Sequence, residues 1–484
     1  MDKFITFNPD YVLKPDEGRA LIMSSVIGRD SYVYMQDSTS TYIHPIFAMI
    51  LSFFDGRKLD LCIEDASAFL NVTKDEISTF ALKLIDNPNF VSIKSKDGSS
   101  LFPPYSLISQ GTNINFHRFN PEWFNYTKID LRCKRHLTPS TITLMVSNIC
   151  RTNCIYCYED KSKIRNCEIP LARIKQLIHE ARKLHVRTFD VIGGEYFIYK
   201  NWEEVLRELK KFGYDPYLST KIPVGEETVR KLAAMKIRDL QISLDSLIES
   251  HLCSSIKASK GYVSEMKRTL ELLNKYGIPT MIHTVLSKYN NTIQDLSSIF
   301  DEIRQMENIT EWKIVKAENS IYARTKYENF KIDSQSLVKI KDFLNSVKPE
   351  CAFNVLMPWG YPDNITKQNV PISFFDRNFC SGNYSSIYIL PNGDVTICEQ
   401  LYWNTHFIIG NVNKDSIEDI WNSKKAISLF HIKQEKIPAD SKCSICKDFD
   451  RCQSLKQVCY RDIIRKYGAD KWYYPDINCP YSIS

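Results

Sequence analysis

The stretch that decides the fold reads Ser147-Asn148-Ile149-Cys150-Arg151-Thr152-Asn153-Cys154-Ile155-Tyr156-Cys157-Tyr158. Its cysteines follow the spacing C-x3-C-x2-C, with the aromatic Tyr156 inside the second gap. Three thiolates on one short loop can hold three irons of a 4Fe–4S cluster and leave the fourth iron without a protein ligand. An iron left open in this way can bind a small molecule and pass it one electron. The segment just before the loop, residues 141–146, reads as a buried strand.

Working outward from that strand, residues 140–317 alternate between strand and helix patterns. Further strands are expected at 187–192, 217–220, 239–244, 280–286 and 312–317. Between them run apolar stripes of helical period: Leu171, Ile174, Leu177, Ile178, Ala181 and Leu184, then Val263, Met266, Leu270 and Leu273, then Leu296, Ile299, Phe300, Ile303 and Met306. Six β/α units imply an α/β fold, a partial (β/α)6 TIM-type barrel with its chemistry at the carboxyl ends of the strands. The cysteine loop leaves the first strand at that end. The second strand runs into Gly193-Gly194-Glu195, where two glycines let a ligand approach the backbone and a carboxylate can accept bonds from an ammonium group.

The cysteine spacing, Tyr156 and the preceding strand resemble the radical S-adenosylmethionine (SAM) enzymes. By that resemblance Gly193, Gly194 and Glu195 hold the SAM amino group, while Cys150, Cys154 and Cys157 ligate the SAM-binding cluster. The fourth strand ends in Gln241-Ile242-Ser243-Leu244-Asp245, similar to the segment that contacts the SAM ribose and carboxylate, so Ser243 and Asp245 are cofactor candidates. A polar cap on a strand end is the other reading of these two residues. Relatives often carry an arginine about a dozen residues further on; here Lys257 is the candidate to replace it. The reaction implied is one-electron cleavage of SAM to methionine and a 5′-deoxyadenosyl radical, which takes hydrogen from an unactivated carbon. No further catalytic residue is assigned: Tyr158, Glu159 and Asp160 read as loop bystanders.

Fifteen cysteines in 484 residues call for a reason. A secreted disulfide framework would come with a signal sequence and a small fold, and both are missing. Isolated cysteines (Cys62, Cys133, Cys167, Cys253, Cys351) read as small buried apolar residues. The rest cluster. Cys380, Gly393-x4-Cys398, Cys443-x2-Cys446-x5-Cys452, Cys459 and Cys479 resemble the SPASM extension of radical SAM enzymes that modify peptides and proteins. Six residues separate Cys452 from Cys459 where that pattern has three, which leaves the part of Cys459 open. The resemblance implies that Cys443, Cys446, Cys452 and Cys479 ligate one auxiliary 4Fe–4S cluster. Cys380, Cys398 and Cys459 would hold another, with its fourth position filled by substrate, water or a cysteine such as Cys351. A structural zinc is the alternative for a Cys-x2-Cys pair with distant partners.

The first hundred residues read as a separate winged-helix-like domain. A hairpin joins 11–14 to 20–24, residues 32–35 give a third strand, and helices begin at Pro45, near Glu64, and at the Thr73-x-x-Glu76 capping box. The helix 74–86 carries three acids against two lysines, too few bases for reading a DNA groove. The element order resembles the PqqD-like RiPP recognition element, in which a leader peptide adds a strand to the sheet edge. The expected domains are therefore 1–100 leader-binding, 101–138 linking, 139–350 radical SAM core and 351–484 a cysteine-rich, iron–sulfur SPASM domain.

A formal charge of +6 gives little reason to expect nucleic acid. No apolar run of about 18 residues suggests a membrane span, and a cytoplasmic enzyme is expected. Together these readings imply a radical SAM oxidoreductase that binds a precursor peptide by its leader and installs an oxidative crosslink, foremost a thioether from cysteine sulfur to carbon. Its cofactors would be SAM and three 4Fe–4S clusters, and its electron donor a flavodoxin or ferredoxin. Carbon–carbon or carbon–oxygen links, a protein-modifying enzyme of the anaerobic sulfatase maturase type, and a DNA-binding iron–sulfur sensor are the alternatives.

Overall fold

The computed structural model describes residues 3–24, 40–111, 119–132, 134–159, 167–322, 325–359, 374–377 and 379–482. The chain divides into two units, Met1–Thr138 and Pro139–Ser484.

In the first unit β1 (Phe4–Phe7) lies between β5 (Asp55–Lys58) and β8 (Leu107–Gln110), antiparallel to both. A second sheet is formed by β2 (Tyr11–Asp16), β3 (Arg19–Ser24) and β4 (Ser40–Ile43), and β6 (Val91–Ser95) with β7 (Gly98–Phe102) makes a hairpin. Residues 32–35 lie outside the described residues, and among those described the third strand is β4. Three helices follow the expected order: α1 (Pro45–Leu51), α2 (Leu59–Leu70) and α3 (Lys74–Leu84). The capping box is present, Thr73 Oγ1 accepting from Glu76 N while Glu76 Oε2 accepts from Thr73 N, an arrangement worth about 1 kcal/mol. Ile77, Phe80, Ala81 and Leu84 turn the inner face of α3 to the core. There Phe80 stacks on Phe47 and meets the edge of Phe102.

The dipeptide Asp55-Gly56 has turn composition, and after α1 ends at Leu51 it opens β5. Residues 101–138, read as linking, carry β8 and are tied back to the hairpin. Arg19, fully buried beside Asp16 at 2.6 Å, donates to the carbonyls of Arg132 and Lys134. Asp16 in turn accepts from Leu137 N at 2.6 Å. A buried pair of this kind earns little net stability, but breaking it would leave a charge uncompensated.

Among the described residues of the second unit, the seven strands that precede Cys380 run parallel in two groups. β9 (Thr141–Met145) pairs with β10 (Thr188–Ile192). β11 (Ser219–Thr220), β12 (Leu240–Ser243), β13 (Thr280–Leu286), β14 (Ile309–Lys316) and β15 (Asn354–Leu356) form the other group. Asp190 of β10 accepts from Tyr217 N at 2.7 Å, just ahead of β11, and so links the groups. The helices α4 (Leu171–Lys183), α5 (Trp202–Lys211), α6 (Glu226–Ala234), α7 (Glu249–Ser255), α8 (Tyr262–Lys275), α9 (Ile293–Ile303) and α10 (Ser334–Val347) alternate with these strands. Their apolar stripes, Ile174, Leu177 and Ile178 of α4 among them, share one core with strand residues such as Ile142, Ile242 and Trp312.

The cysteine-rich region continues the barrel sheet. β16 (Ser386–Ile389) pairs in parallel with β9, and β17 (Asp394–Thr396) and β18 (Ile408–Asn411) extend it antiparallel. Parallel pairing to β9 brings the segment holding Cys380 and Cys398 to the strand that launches the Cys150 loop. Arg173 of α4 clamps the connection after β18, donating to the carbonyls of Val412 and Asp415. The last helices are α11 (Ile417–Trp421), α12 (Lys424–Phe430), α13 (Phe449–Leu455) and α14 (Tyr460–Tyr467). Among the described residues no helix is long and apolar enough to cross a membrane.

Candidate functional site

The loop after β9 is locked to the turn after β10. Gly194 N donates to Ser147 O at 2.8 Å and Glu195 N to Ile149 O at 2.9 Å. A Cβ on Gly193 would stand 2.9 Å from Ser147 O, and one on Gly194 only 2.5 Å from Ile149 O. Both glycines are therefore required by the close approach of the cysteine loop itself, whereas the sequence suggested room for a ligand. The other side of the loop is held by Asn153 N and Ile155 N, which donate to the carbonyls of Ile256 and Ser255 at the C-terminal end of α7. Within it Thr152 Oγ1 sits 3.2 Å from Cys150 Sγ and 3.5 Å from Cys154 Sγ, so the two sulfurs converge on one hydroxyl.

Glu195 is buried, and its carboxylate accepts from Phe197 N (3.3 Å) and Lys221 N (3.1 Å). Burial outweighs these bonds and lifts its pKa to about 6. The acid is thus easier to protonate in the fold than in the open chain. Ionising it there costs about 2 kcal/mol, a stability lost as pH rises from its ordinary value through about 6. A cation bound against it would offset that cost.

Asp245, at the end of β12, is enclosed. One oxygen accepts from Val285 N at 3.0 Å; the other accepts from Lys221 Nζ at 3.0 Å and from the Tyr156 hydroxyl. Lys221 Nζ also donates to Tyr156 Oη at 3.1 Å. Burial opposes the lysine's charge, but Asp245 and the Cys154 and Cys150 thiols prevail and leave its pKa raised. Ser243 Oγ accepts from Gln241 Nε2 at 2.8 Å. Lys257 is exposed at a left-handed φ of 59°, its Nζ on Ser254 O. His283 of β13 has its Nε2 buried without a hydrogen-bond partner. Its pKa falls to about 4, first through burial and then through Lys221 and Lys313. A polar atom left open among converging charges is what a bound polar ligand would satisfy.

Further along the chain the cysteines gather in two sets. Cys443, Cys446, Cys452 and Cys479 line one apolar pocket with Phe449 and Trp472. The Cys398 thiol feels Cys380 and Cys459, and Gly382, whose added Cβ would touch Ile397 O, also lies against Cys380 Sγ. Burial, then neighbouring charge, pushes Cys443 and Cys459 up to about 11 and Cys398 and Cys452 to about 12. A metal centre reverses this by stabilising the thiolate directly. Among the described residues no three His, Cys, Asp or Glu side chains close on a single point as ligands of one ion do. Cys351 directs its Sγ to Val347 O, and Cys253 is exposed rather than buried as expected.

Lys221 and His283 were not found from sequence. Neither stands in a recognisable spacing, and their partners come from distant strands.

Residues 144–302 match the Radical SAM superfamily and residues 380–447 the SPASM iron–sulfur cluster-binding domain. The chain thus carries a radical SAM domain followed by a SPASM domain. It is similar to the sporulation killing factor maturation protein SkfB of Bacillus subtilis, 23% identical over 295 residues, 60% of this chain and 67% of that one. It also resembles the antilisterial bacteriocin subtilosin biosynthesis protein AlbA of Bacillus subtilis, 23% identical over 325 residues, 64% and 67% of the two chains. In fold it matches Streptococcus suis SuiB bound to S-adenosylmethionine, with a TM-score of 0.65 and 16% identity over 98% of this chain and 100% of that one. SuiB bound to its precursor peptide SuiA matches with a TM-score of 0.64 and 16% identity over the same shares.

Proposed function

We propose that the chain is a ribosomal-peptide maturase that captures a precursor by its leader and installs an oxidative crosslink, foremost a thioether from a cysteine sulfur to carbon. The observation that carries this reading is the backbone lock between the Cys150 loop and the Gly193-Gly194-Glu195 turn at the mouth of a barrel. Cys150, Cys154 and Cys157 would hold the SAM-binding cluster, and Ser243 and Asp245 would frame the ribose and carboxylate side of SAM. Cluster and SAM, when bound, supply a carbon radical able to remove hydrogen from an unactivated position.

The chain's own residues orient and shield that chemistry. Glu195 would accept the SAM ammonium, a pairing that needs the carboxylate ionised. SAM affinity should therefore rise about tenfold per pH unit up to about 6 and level off above it, as read by equilibrium dialysis of the anaerobic protein. Cys443, Cys446, Cys452 and Cys479 would close one auxiliary cluster completely. Cys380, Cys398 and Cys459 would hold a second with an open position able to take a substrate thiolate, which favours the thioether. An electron donor such as a flavodoxin or ferredoxin would reduce the SAM-binding cluster.

The first unit would serve as a PqqD-like RiPP recognition element. Its three-stranded sheet followed by three helices, with Leu82 of α3 exposed, suits an extended leader peptide added to a sheet edge. The relatives named for maturation and bacteriocin biosynthesis, and SuiB with its precursor peptide, support the substrate class.

The test is coexpression with a cysteine-bearing precursor. The product should be lighter by two hydrogens and lose one iodoacetamide-reactive thiol. A chain beginning at Pro139 should still form 5′-deoxyadenosine but process the leader-bearing peptide at least tenfold more slowly. Unchanged processing would point instead to a folded-protein substrate, and an unchanged thiol count to a carbon–carbon or carbon–oxygen link.

A further inference from the structure

We infer that Lys221 supplies the cation that receives the carboxylate of the cosubstrate's methionyl group, an assignment that rests on the radical SAM reading above. An α-amino acid presents an ammonium and a carboxylate on one carbon. A site for it therefore needs an acid and a base side by side, each facing the opposite charge. Lys221 brings the two together in one residue. Its backbone N–H donates to Glu195 Oε2 at 3.1 Å, and its carbonyl is fixed by the Tyr262 hydroxyl at 2.7 Å. Its side chain crosses to Asp245 and to Tyr156 of the cysteine loop.

Three further observations favour a ligand over a purely structural pair. A lysine ammonium has three N–H donors, and Asp245 and Tyr156 take two. The side chain is only 15% exposed, and an ammonium withdrawn so far from water needs each of its N–H groups partnered. Near it in the same sheet layer, His283 Nε2 is buried without a hydrogen-bond partner, a polar atom that a bound ligand would satisfy. Lys257, by contrast, places its ammonium on Ser254 O at the surface. Asp245 is then a positioning residue: with Tyr156 it aims the ammonium.

The experiment compares SAM with decarboxylated SAM, which keeps the amine, sulfonium and adenosine but lacks the carboxylate. Affinities are measured by equilibrium dialysis on the full, anaerobically reconstituted chain, with visible absorbance and circular dichroism as checks on cluster and fold. Lys221→Ala should lower the preference for SAM over the decarboxylated ligand about tenfold while changing affinity for the latter less than threefold. Lys221→Arg, which keeps the charge, should retain most of the preference.

If Lys221 only holds Asp245 and Tyr156 in place, both ligands weaken together and the ratio stays, which overturns the assignment. So does loss of the preference in Lys257→Ala and not in Lys221→Ala. Should Lys221→Ala fail to fold, an unchanged ratio in Lys221→Gln overturns it and a lowered ratio upholds it. A wild-type chain that binds neither ligand overturns the radical SAM reading and this inference with it.

Discussion

Replacing Cys150, Cys154 and Cys157 together with alanine should abolish 5′-deoxyadenosine formation under dithionite and remove about one third of the iron, while the protein stays folded. The iron figure follows from one cluster lost of the three proposed. Folding should survive because the loop is held by its backbone. Asn153 N and Ile155 N donate to carbonyls at the end of α7, and Gly194 N and Glu195 N donate to the loop's own Ser147 and Ile149 carbonyls. None of these bonds uses a sulfur. The three sulfurs are the proposed cluster ligands, so their loss should be chemical and not architectural. The checks are iron and sulfide analysis, visible absorbance near the thiolate–iron bands and chromatography of the nucleoside. Deoxyadenosine formed by the triple variant, or a full iron content, would sink the assignment of this loop.

The parts legible in the sequence were those where residue type alone states the chemistry. Cysteine spacing is of that kind, and it pointed to the radical SAM domain that residues 144–302 match. So is helical period: the stripe Ile174, Leu177, Ile178 became the buried face of α4. What stayed hidden depended on pairing at long range. β1 finds β8 about a hundred residues away, and nothing local in Phe4–Phe7 announces it. Asp55-Gly56 has turn composition, yet cross-strand bonds to β1 make it part of a strand. Lys221 follows a two-residue strand, with Asp245 and Tyr156 24 and 65 residues away. Nor did the sequence announce that β16 docks on β9, since a sheet's neighbour order is not written in either strand.

The two glycines show how a motif can be recognised for a reason other than its physical one. Neither Gly193 nor Gly194 has a left-handed φ, so neither is needed for backbone freedom. Both are needed for space. At Gly194 a Cβ would meet Ile149 O at 2.5 Å, Ile149 C at 2.6 Å and Asn148 C at 2.8 Å, all backbone atoms that no rotamer change can clear.

Gly194→Ala should therefore be among the most damaging single-atom additions in the chain. To fit the methyl group, the Cys150 loop and the Glu195 turn must part, breaking the bonds Gly194 N to Ser147 O and Glu195 N to Ile149 O. Two backbone bonds at about 1 kcal/mol each, with steric displacement added, give a loss of about 3 kcal/mol. For a unit of this size that lowers Tm by roughly 4 °C. Binding should suffer more than stability, because the displaced groups are Glu195 and the cluster loop together, and SAM affinity should fall at least a hundredfold. Gly225→Ala is the matched control: no atom lies within 4 Å of its added methyl group, and its φ of −79° is ordinary. Its Tm should stay within about 2 °C of the parent. If Gly194→Ala instead matches Gly225→Ala in both Tm and SAM affinity, the backbone lock does not hold the cofactor site, and the proposed function loses the observation that carries it.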